Sequence, residues 1–266
     1  MSLDVVPPGV DLCSLVFRWQ PGQASPAIHG RHLHAAFLAW VAARDAGLAA
    51  ELHQPGQPRP FTVALLPLDG AGEATIRCTL LDRRLIAAIH ARPGADQGTL
   101  RLRLSTTDHV LTAVQRDGWS SAAKWEELET IAGRRRAITL EFVTPTCFSQ
   151  DIPGERKRLA LFPQPAWLWG SWARKWQRFG PPLPGLEGAA QEAERWLLVS
   201  SYQLATQTLD LGRFRQKGFA GWVDFMWQPG VPAEVAQRLQ MLAAFAPYAG
   251  TGYKTAMGLG VTRLRE

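Results

Sequence analysis

The sequence predicts an α+β fold in two tandem halves, and three observations carry that prediction. Strand-like and helix-like runs in the first half follow the order β-α-β-β-α-β, and the same order restarts after about residue 130. Several strand candidates alternate strictly between apolar and polar residues, which fits sheets with one buried face. Finally, 266 residues at 46% hydrophobic content are enough for about two domains with real cores.

In the first half, "VDLCSLVFRW" (10–19) reads as a strand rich in apolar and aromatic residues. Residues 29–50 have helical spacing, with Leu33, Phe37, Trp40 and Val41 recurring at three and four, and Pro26 stands at the entry. "PFTVALL" (60–66) and "EATIRCTL" (73–80) are strands joined by the turn "PLDGAG". Asp82 caps the short helix "RRLIAAIHA", and Pro93-Gly94 stops it. "TLRLRL" (99–104) alternates strictly, and strand-like "VLTAVQ" follows. Residues 117–136 read as a connecting helix ended by Gly133.

The second half begins with "AITLEFV" (137–143), whose Ile138, Leu140 and Phe142 share one face. A helix starts at Pro165, two strands cover "ERWLLVSSYQLATQTL" and "GFAGWVDFMWQP", and a helix starts at Pro232. "LGVTRL" closes the pattern. Each half therefore has the ferredoxin-like (RRM-like, βαββαβ) order. The expected domains are 1–130, carrying the histidines, and 131–266, carrying a C-terminal glycine-rich loop. Trp169, Trp172 and Trp176 fall at i, i+3 and i+7, the spacing of a core-facing stripe.

The charge narrows the partners. Lys and Arg number 29 against 23 Asp and Glu, a formal net charge of +6, and most of the cations are Arg. Arginine makes planar, bidentate contacts with phosphate, so nucleic acid leads the candidates, although an Arg-rich coding bias would give the same composition. Strand alternation sets Arg18 opposite Phe17 and Trp19, Arg77 opposite Ile76 and Cys78, and Arg101 and Arg103 opposite Leu100, Leu102 and Leu104. If strands 4, 1 and 3 are neighbours, as is usual for this order, these arginines share the helix-free sheet face. Such a face is a platform for single-stranded RNA or simply a solvated surface. Arg174 and Lys175 near a helix C-terminus, and Arg213, Arg215 and Lys217 in the hairpin "GRFRQKG", are further candidates for phosphate contact.

Cys13, Cys78 and Cys147 are widely spaced and odd in number, and the histidines lack metal-type companions, so neither a disulfide framework, a metal nor a cofactor is expected. "MSLDVVPPGV" lacks the basic start and apolar core of a signal peptide, and no run of about 20 apolar residues occurs, so the expected compartment is the cytoplasm without membrane attachment.

"GTGYKTAMGLG" (250–260) does not match the spacing of a dinucleotide fingerprint or a P-loop. A helix C-cap at Gly250 or Gly252 would explain one glycine and leave the others unexplained. Four of the six histidines fall between 29 and 53: His29, His32, His34 and His53. His29 and His32 fit capping or surface roles. His34 lies on the first helix and His53 just beyond it, so the two can pair only if the chain folds back there. With an ordinary pKa of about 6.5, two histidines can act as base and acid in cutting RNA at a 2′-hydroxyl, in either assignment.

"GRHLHAAFLAWV", "LHQPGQPRPFTVALL", "VTPTCF" and "FAPYAGTGYKTAMGLGVTR" occur in that order. Together they resemble the CRISPR-associated endoribonucleases that cut precursor CRISPR RNA at its repeats. These enzymes belong to the repeat-associated mysterious protein (RAMP) superfamily. The resemblance implies two ferredoxin-like folds and a metal-independent cut by 2′-OH attack that leaves 2′,3′-cyclic phosphate and 5′-OH ends, in antiviral defence. It implies His53 as the catalytic histidine, with His34 standing where some members carry a tyrosine. Arg59 is the only cation where others carry a lysine. It further implies that Gly250, Gly252, Lys254, Thr255, Gly258 and Gly260 contact RNA, the glycines letting amides approach phosphates. Precursor and mature CRISPR RNA are the implied partners, with an effector complex and a homodimer left open. The competing readings are a non-catalytic superfamily subunit that holds CRISPR RNA in an effector complex, and a ferredoxin-like module for a small ligand.

Overall fold

The computed structural model describes residues 9–19, 28–54, 56, 58–66, 74–90, 99–104, 107–116, 118–133, 135–150 and 158–265. The expected helix entry at Pro26, the turn at 67–72 and the Pro93-Gly94 stop lie outside the described residues. Two compact units form. The first contains 1–124 together with 210–214 and 256–258, and the second contains the remainder.

In the first unit, strand β1 (Leu12–Trp19) leads into helices α1 (Gly30–Ala42) and α2 (Ala46–His53). Strands β2 (Phe61–Leu66) and β3 (Ala74–Leu80), helix α3 (Arg83–His90), and strands β4 (Thr99–Leu104), β5 (Thr107–Val114) and β6 (Ser121–Ala123) follow. Period-2 alternation sends Leu15, Phe17, Ile76, Cys78, Leu100 and Leu102 into one core, where Leu33, Phe37, Trp40 and Val41 of α1 meet them. The expected single helix over 29–50 is two helices. Asp45 breaks it by turning extended and accepting the Leu48 N–H at 2.8 Å, an N-cap that starts α2. His53 is therefore the last residue of a helix rather than a loop residue.

The sheet order is β2-β3-β1-β5-β4, with β6 also paired to β1. Here two expectations need correction. β5 returns as a hairpin from β4 and inserts beside β1, so Arg101 and Arg103 are not next to Arg18. The second face of the sheet is not free either. The Ser14 hydroxyl donates to the Trp119 carbonyl (2.6 Å), as does Arg77 Nε (3.2 Å), and Arg116 Nη1 donates to Thr75 Oγ1 (2.7 Å). All seven residues of β3 are buried as a result. The expected connecting helix at 117–136 divides into this covering segment, β6 and a short helix, α4 (Glu127–Ala132).

The second unit contains α4, β7 (Ala137–Thr146), the small ribbon β8 (Phe148–Gln150) and β9 (Arg158–Ala160), α5 (Pro165–Phe179) and α6 (Ala189–Trp196). Strands β10 (Leu197–Asp210) and β11 (Arg215–Trp227), helix α7 (Ala233–Ala249) and strand β12 (Thr262–Leu264) complete it. Its sheet order, β10-β11-β7-β12, places the outer strands of a βαββαβ unit as the ferredoxin-like fold requires. The α5 tryptophans form the expected core stripe: Trp169, Trp172 and Trp176 are 0%, 0% and 1% exposed. Each indole N–H is satisfied inside, by Leu239 O (2.8 Å), Thr251 Oγ1 (3.0 Å) and Pro181 O (2.9 Å).

Candidate active site and RNA-contact residues

The two candidate catalytic histidines sit on either side of the break at Asp45, His34 on α1 and His53 at the end of α2. His34 lies half-buried on α1, its ring stacked on Phe61 at 5.7 Å, and Phe61 stacks on Phe37 at 4.1 Å. His34 Nδ1 lies 3.1 Å from the carbonyl oxygen of Ala256. A carbonyl only accepts, so Nδ1 carries the proton and the neutral ring has a bare Nε2. Burial holds the His34 pKa below the ordinary histidine value, and the charges of Arg59 and His53 push it the same way, against the opposing pull of the Ala256 carbonyl. The resulting group is a neutral imidazole with one lone pair, next to two potential cations. His53 is exposed at the C-terminus of α2. The Arg59 guanidinium donates to the Leu52 carbonyl and, at 3.3 Å, to that of His53, tying down the carbonyl end of the helix that carries His53.

His29 and His32 have structural work. His29 is the N-cap of α1, its backbone N–H donates to His32 Nδ1 at 3.3 Å, and its own Nδ1 lies 3.5 Å from Asp210 Oδ1.

Among the candidate RNA contacts, Arg18, Arg101, Arg103, Arg174, Arg213, Arg215 and Lys217 are exposed. Arg77, Lys175 and Thr255 are buried instead, at 5%, 8% and 5% exposure, which leaves their side chains little access to a phosphate. Lys175 Nζ donates to the Ala249 carbonyl and, at 2.9 Å, to Thr255 Oγ1. This amino group ties the last turn of α7 to Thr255. Its position on the inner side of α5 follows from the same helical spacing that buries the tryptophans. Burial pushes the Lys175 pKa down to about 7. Between that value and the unfolded value of about 10.4, the unfolded chain binds more protons than the folded one. Stability attributable to this residue therefore rises with pH across the window. Parallel unfolding measurements at pH 7 and pH 9.5 should show wild type gaining stability relative to Lys175→Met as the pH rises. A pH-independent difference between the two would show that Lys175 keeps its ordinary pKa.

The glycine-rich loop is also read differently. Gly250 ends α7 at φ 64°, its N–H donating to Ala246 O at 2.9 Å, so the C-cap reading holds for it. A Cβ on Gly252 would lie 2.3 Å from the Cys147 carbonyl oxygen, and one on Gly260 would lie 2.1 Å from that of Thr251. The amides of Thr251, Gly252, Tyr253 and Gly260 donate to Gly260 O, Ser171 Oγ, Cys147 O and Pro145 O at 2.8, 3.0, 2.8 and 3.1 Å. At Gly252 and Gly260, bare backbone serves close packing against the protein itself. Lys254, half-exposed at φ 56° with Nζ 5.2 Å from the Tyr253 ring centre, is the loop's candidate cation. Residues 256–258 belong with the first unit. The sequence offered no signal for the Ala256 carbonyl as a site group, because a backbone oxygen carries no residue signature.

Two family models match: the CRISPR Cas6 N-terminal domain over residues 13–125 and CRISPR-associated endoribonuclease Cas6 over 140–262. A Cas6 product complex is 30% identical, with 96% of this chain and 100% of that chain covered and a TM-score of 0.76. The chain belongs to the Cas6 family. Thermus thermophilus Cas6 is 26% identical, with 97% of this chain and 100% of that chain covered, at a TM-score of 0.72. The curated CRISPR-associated endoribonuclease Cas6 of Mycobacterium tuberculosis is 30% identical over 133 residues. That match spans 49% of this chain and only 39% of the curated relative's own length. Membership favours a catalytic reading over that of a non-catalytic RAMP subunit. No helix among the described residues is long and apolar enough to cross a membrane.

Proposed function

We propose that this chain is an endoribonuclease that cuts CRISPR repeat RNA by metal-independent transesterification, with His34 as the general base. Nε2 of His34 takes the proton of the 2′-hydroxyl at the scissile nucleotide, and the 2′-oxygen attacks the adjacent phosphorus. The bond from phosphorus to the 5′-oxygen breaks, and that oxygen takes up a proton, for which His53 is the donor. The products are a 2′,3′-cyclic phosphate and a 5′-hydroxyl. Arg59 supplies positive charge to the phosphorane. The observation that carries this assignment is the His34 Nδ1 contact with the Ala256 carbonyl, which leaves Nε2 as the basic atom. Support for the substrate comes from the family and from relatives solved as a Cas6 product complex and a Cas6 substrate mimic complex. Under this reading the exposed arginines and Lys254 contact phosphates, the mature RNA passes to an effector complex in the cytoplasm, and a second copy of the chain is a candidate partner.

The test is cleavage of the cognate repeat RNA in excess EDTA, with analysis of the ends. Unchanged rates and cyclic-phosphate termini are expected. Loss of cleavage in EDTA, or 3′-hydroxyl and 5′-phosphate ends, would replace this mechanism with a metal-activated water. Because the His34 pKa is lowered, the acidic limb of the cleavage rate should fall below about pH 6.5, the ordinary histidine value. An acidic limb centred above that value would exclude His34 as the base.

A further inference from the structure

The first turn of α1 has an unusual neighbour. A Cβ placed on Gly30 would lie 1.9 Å from the backbone oxygen of Met257 and 2.8 Å from Leu211 Cδ2. Both distances are shorter than real carbon contacts allow, and the nearer atom is backbone, which cannot swing aside as a side-chain tip can. Gly30 is buried, and it is not among the positive-φ glycines, so its backbone dihedrals do not require glycine. Alanine is the better helix former, so the absence of a side chain here is unfavourable locally. The demand comes from the segment laid across it.

Four residues further on, one turn along the same helix face, is His34. The segment 256–258 therefore runs along that face with consecutive carbonyls in use. That of Met257 is seated on Gly30, and that of Ala256 accepts from His34 Nδ1 at 3.1 Å. Ala256 is itself 6% exposed within the core of the first unit, which anchors the segment between the two contacts. We propose that Gly30 is a positioning residue for the cleavage reaction: it seats the 256–258 segment of the glycine-rich loop so that the Ala256 carbonyl locks His34 in the Nδ1–H tautomer. The proposal rests on the reading of His34 as the base. It gives the loop a task distinct from phosphate contact. A Cβ at position 30 would force the Met257 carbonyl to retreat by roughly an ångström, and the neighbouring Ala256 carbonyl would leave hydrogen-bond range of Nδ1. The ring could then hold its proton on Nε2, where it cannot act as a base.

The experiment compares the full-length chain and Gly30→Ala by ¹⁵N spectroscopy of the histidine rings at pH 8, alongside cleavage and RNA-binding measurements. Wild type should show the His34 Nδ1–H tautomer. Gly30→Ala should lose that single tautomer and cleave roughly 10–100-fold more slowly, as when a supporting hydrogen bond to a functional histidine is removed. RNA affinity should stay within about threefold of wild type, because neither residue offers a charge to phosphate. A role confined to stability would lower the melting temperature and leave the ring signature unmoved. An Nε2–H ring in wild type would overturn the proposal even if Gly30→Ala did not fold. So would a folded Gly30→Ala that keeps both tautomer and rate. The reading of His34 as base fails separately, if His34→Ala cleaves at the wild-type rate whatever the tautomer.

Discussion

Replacing His34 with alanine should slow cleavage by roughly 10²–10⁴-fold, the range for loss of a general base or acid, while leaving RNA affinity close to wild type. A neutral ring, half-buried and hydrogen-bonded to a backbone carbonyl, adds little attraction for phosphate, so its removal is felt in the chemical step. His53→Ala should show a loss of the same order if it delivers the proton to the leaving oxygen. His29→Ala and His32→Ala should cleave nearly as wild type, since the His32 ring is engaged by the His29 N–H at the start of α1 and the His29 ring faces Asp210. A 2′-deoxy substitution at the scissile nucleotide removes the nucleophile and should stop cleavage. Single-turnover rates with saturating RNA separate binding from chemistry. A His34→Ala rate within about threefold of wild type would remove His34 from the mechanism.

Gly260→Ala should be strongly destabilising, and Gly230→Ala should be its control. Both glycines have positive φ, 73° and 81°, so alanine pays the left-handed strain at each, roughly 1–3 kcal/mol. Nothing lies within 4 Å of a Cβ on Gly230, whereas one on Gly260 would lie 2.1 Å from the Thr251 carbonyl oxygen. That carbonyl cannot move alone, because Thr251 is bound to Gly260 through its N–H (2.8 Å) and to Thr262 through its hydroxyl (2.6 Å). Urea unfolding should therefore show a distinctly larger loss for Gly260→Ala. Equal losses would mean that the glycine at 260 answers only to its backbone dihedrals.

The second half was legible as a ferredoxin-like unit because its strands and helices carry their own signals. Pro165 and Pro232 mark helix starts, and Ile138, Leu140 and Phe142 mark a buried strand face. The α5 tryptophan stripe was readable for the same reason, since helical period decides which side chains share a face. The first half was harder. The covering contacts of Arg116 and Trp119 and the insertion of β5 depend on which strand pairs with which, and pairing partners are far apart in sequence. Alternation correctly put Arg77 opposite Ile76 and Cys78, but it could not show that the Trp119 carbonyl would meet it there.

The sequence by itself determined the two-unit α+β pattern, the family, and His34 and His53 as the histidines to watch, because these rest on local periodicity and ordered motifs. It could not choose between them as base, and it assigned the loop glycines to phosphate. Only tertiary structure places the Ala256 carbonyl 3.1 Å from His34 Nδ1, which leaves Nε2 as the bare nitrogen of the neutral ring, and only it lays the backbone at Gly252 and Gly260 against other carbonyls of the protein. Lys175 was likewise drawn inward to bind the end of α7 and Thr255 rather than left outside for RNA. The physical reason is common to these cases. Backbone carbonyls are present at every residue, so the sequence does not mark which of them will receive a proton donor. Only the folded path of the chain selects them.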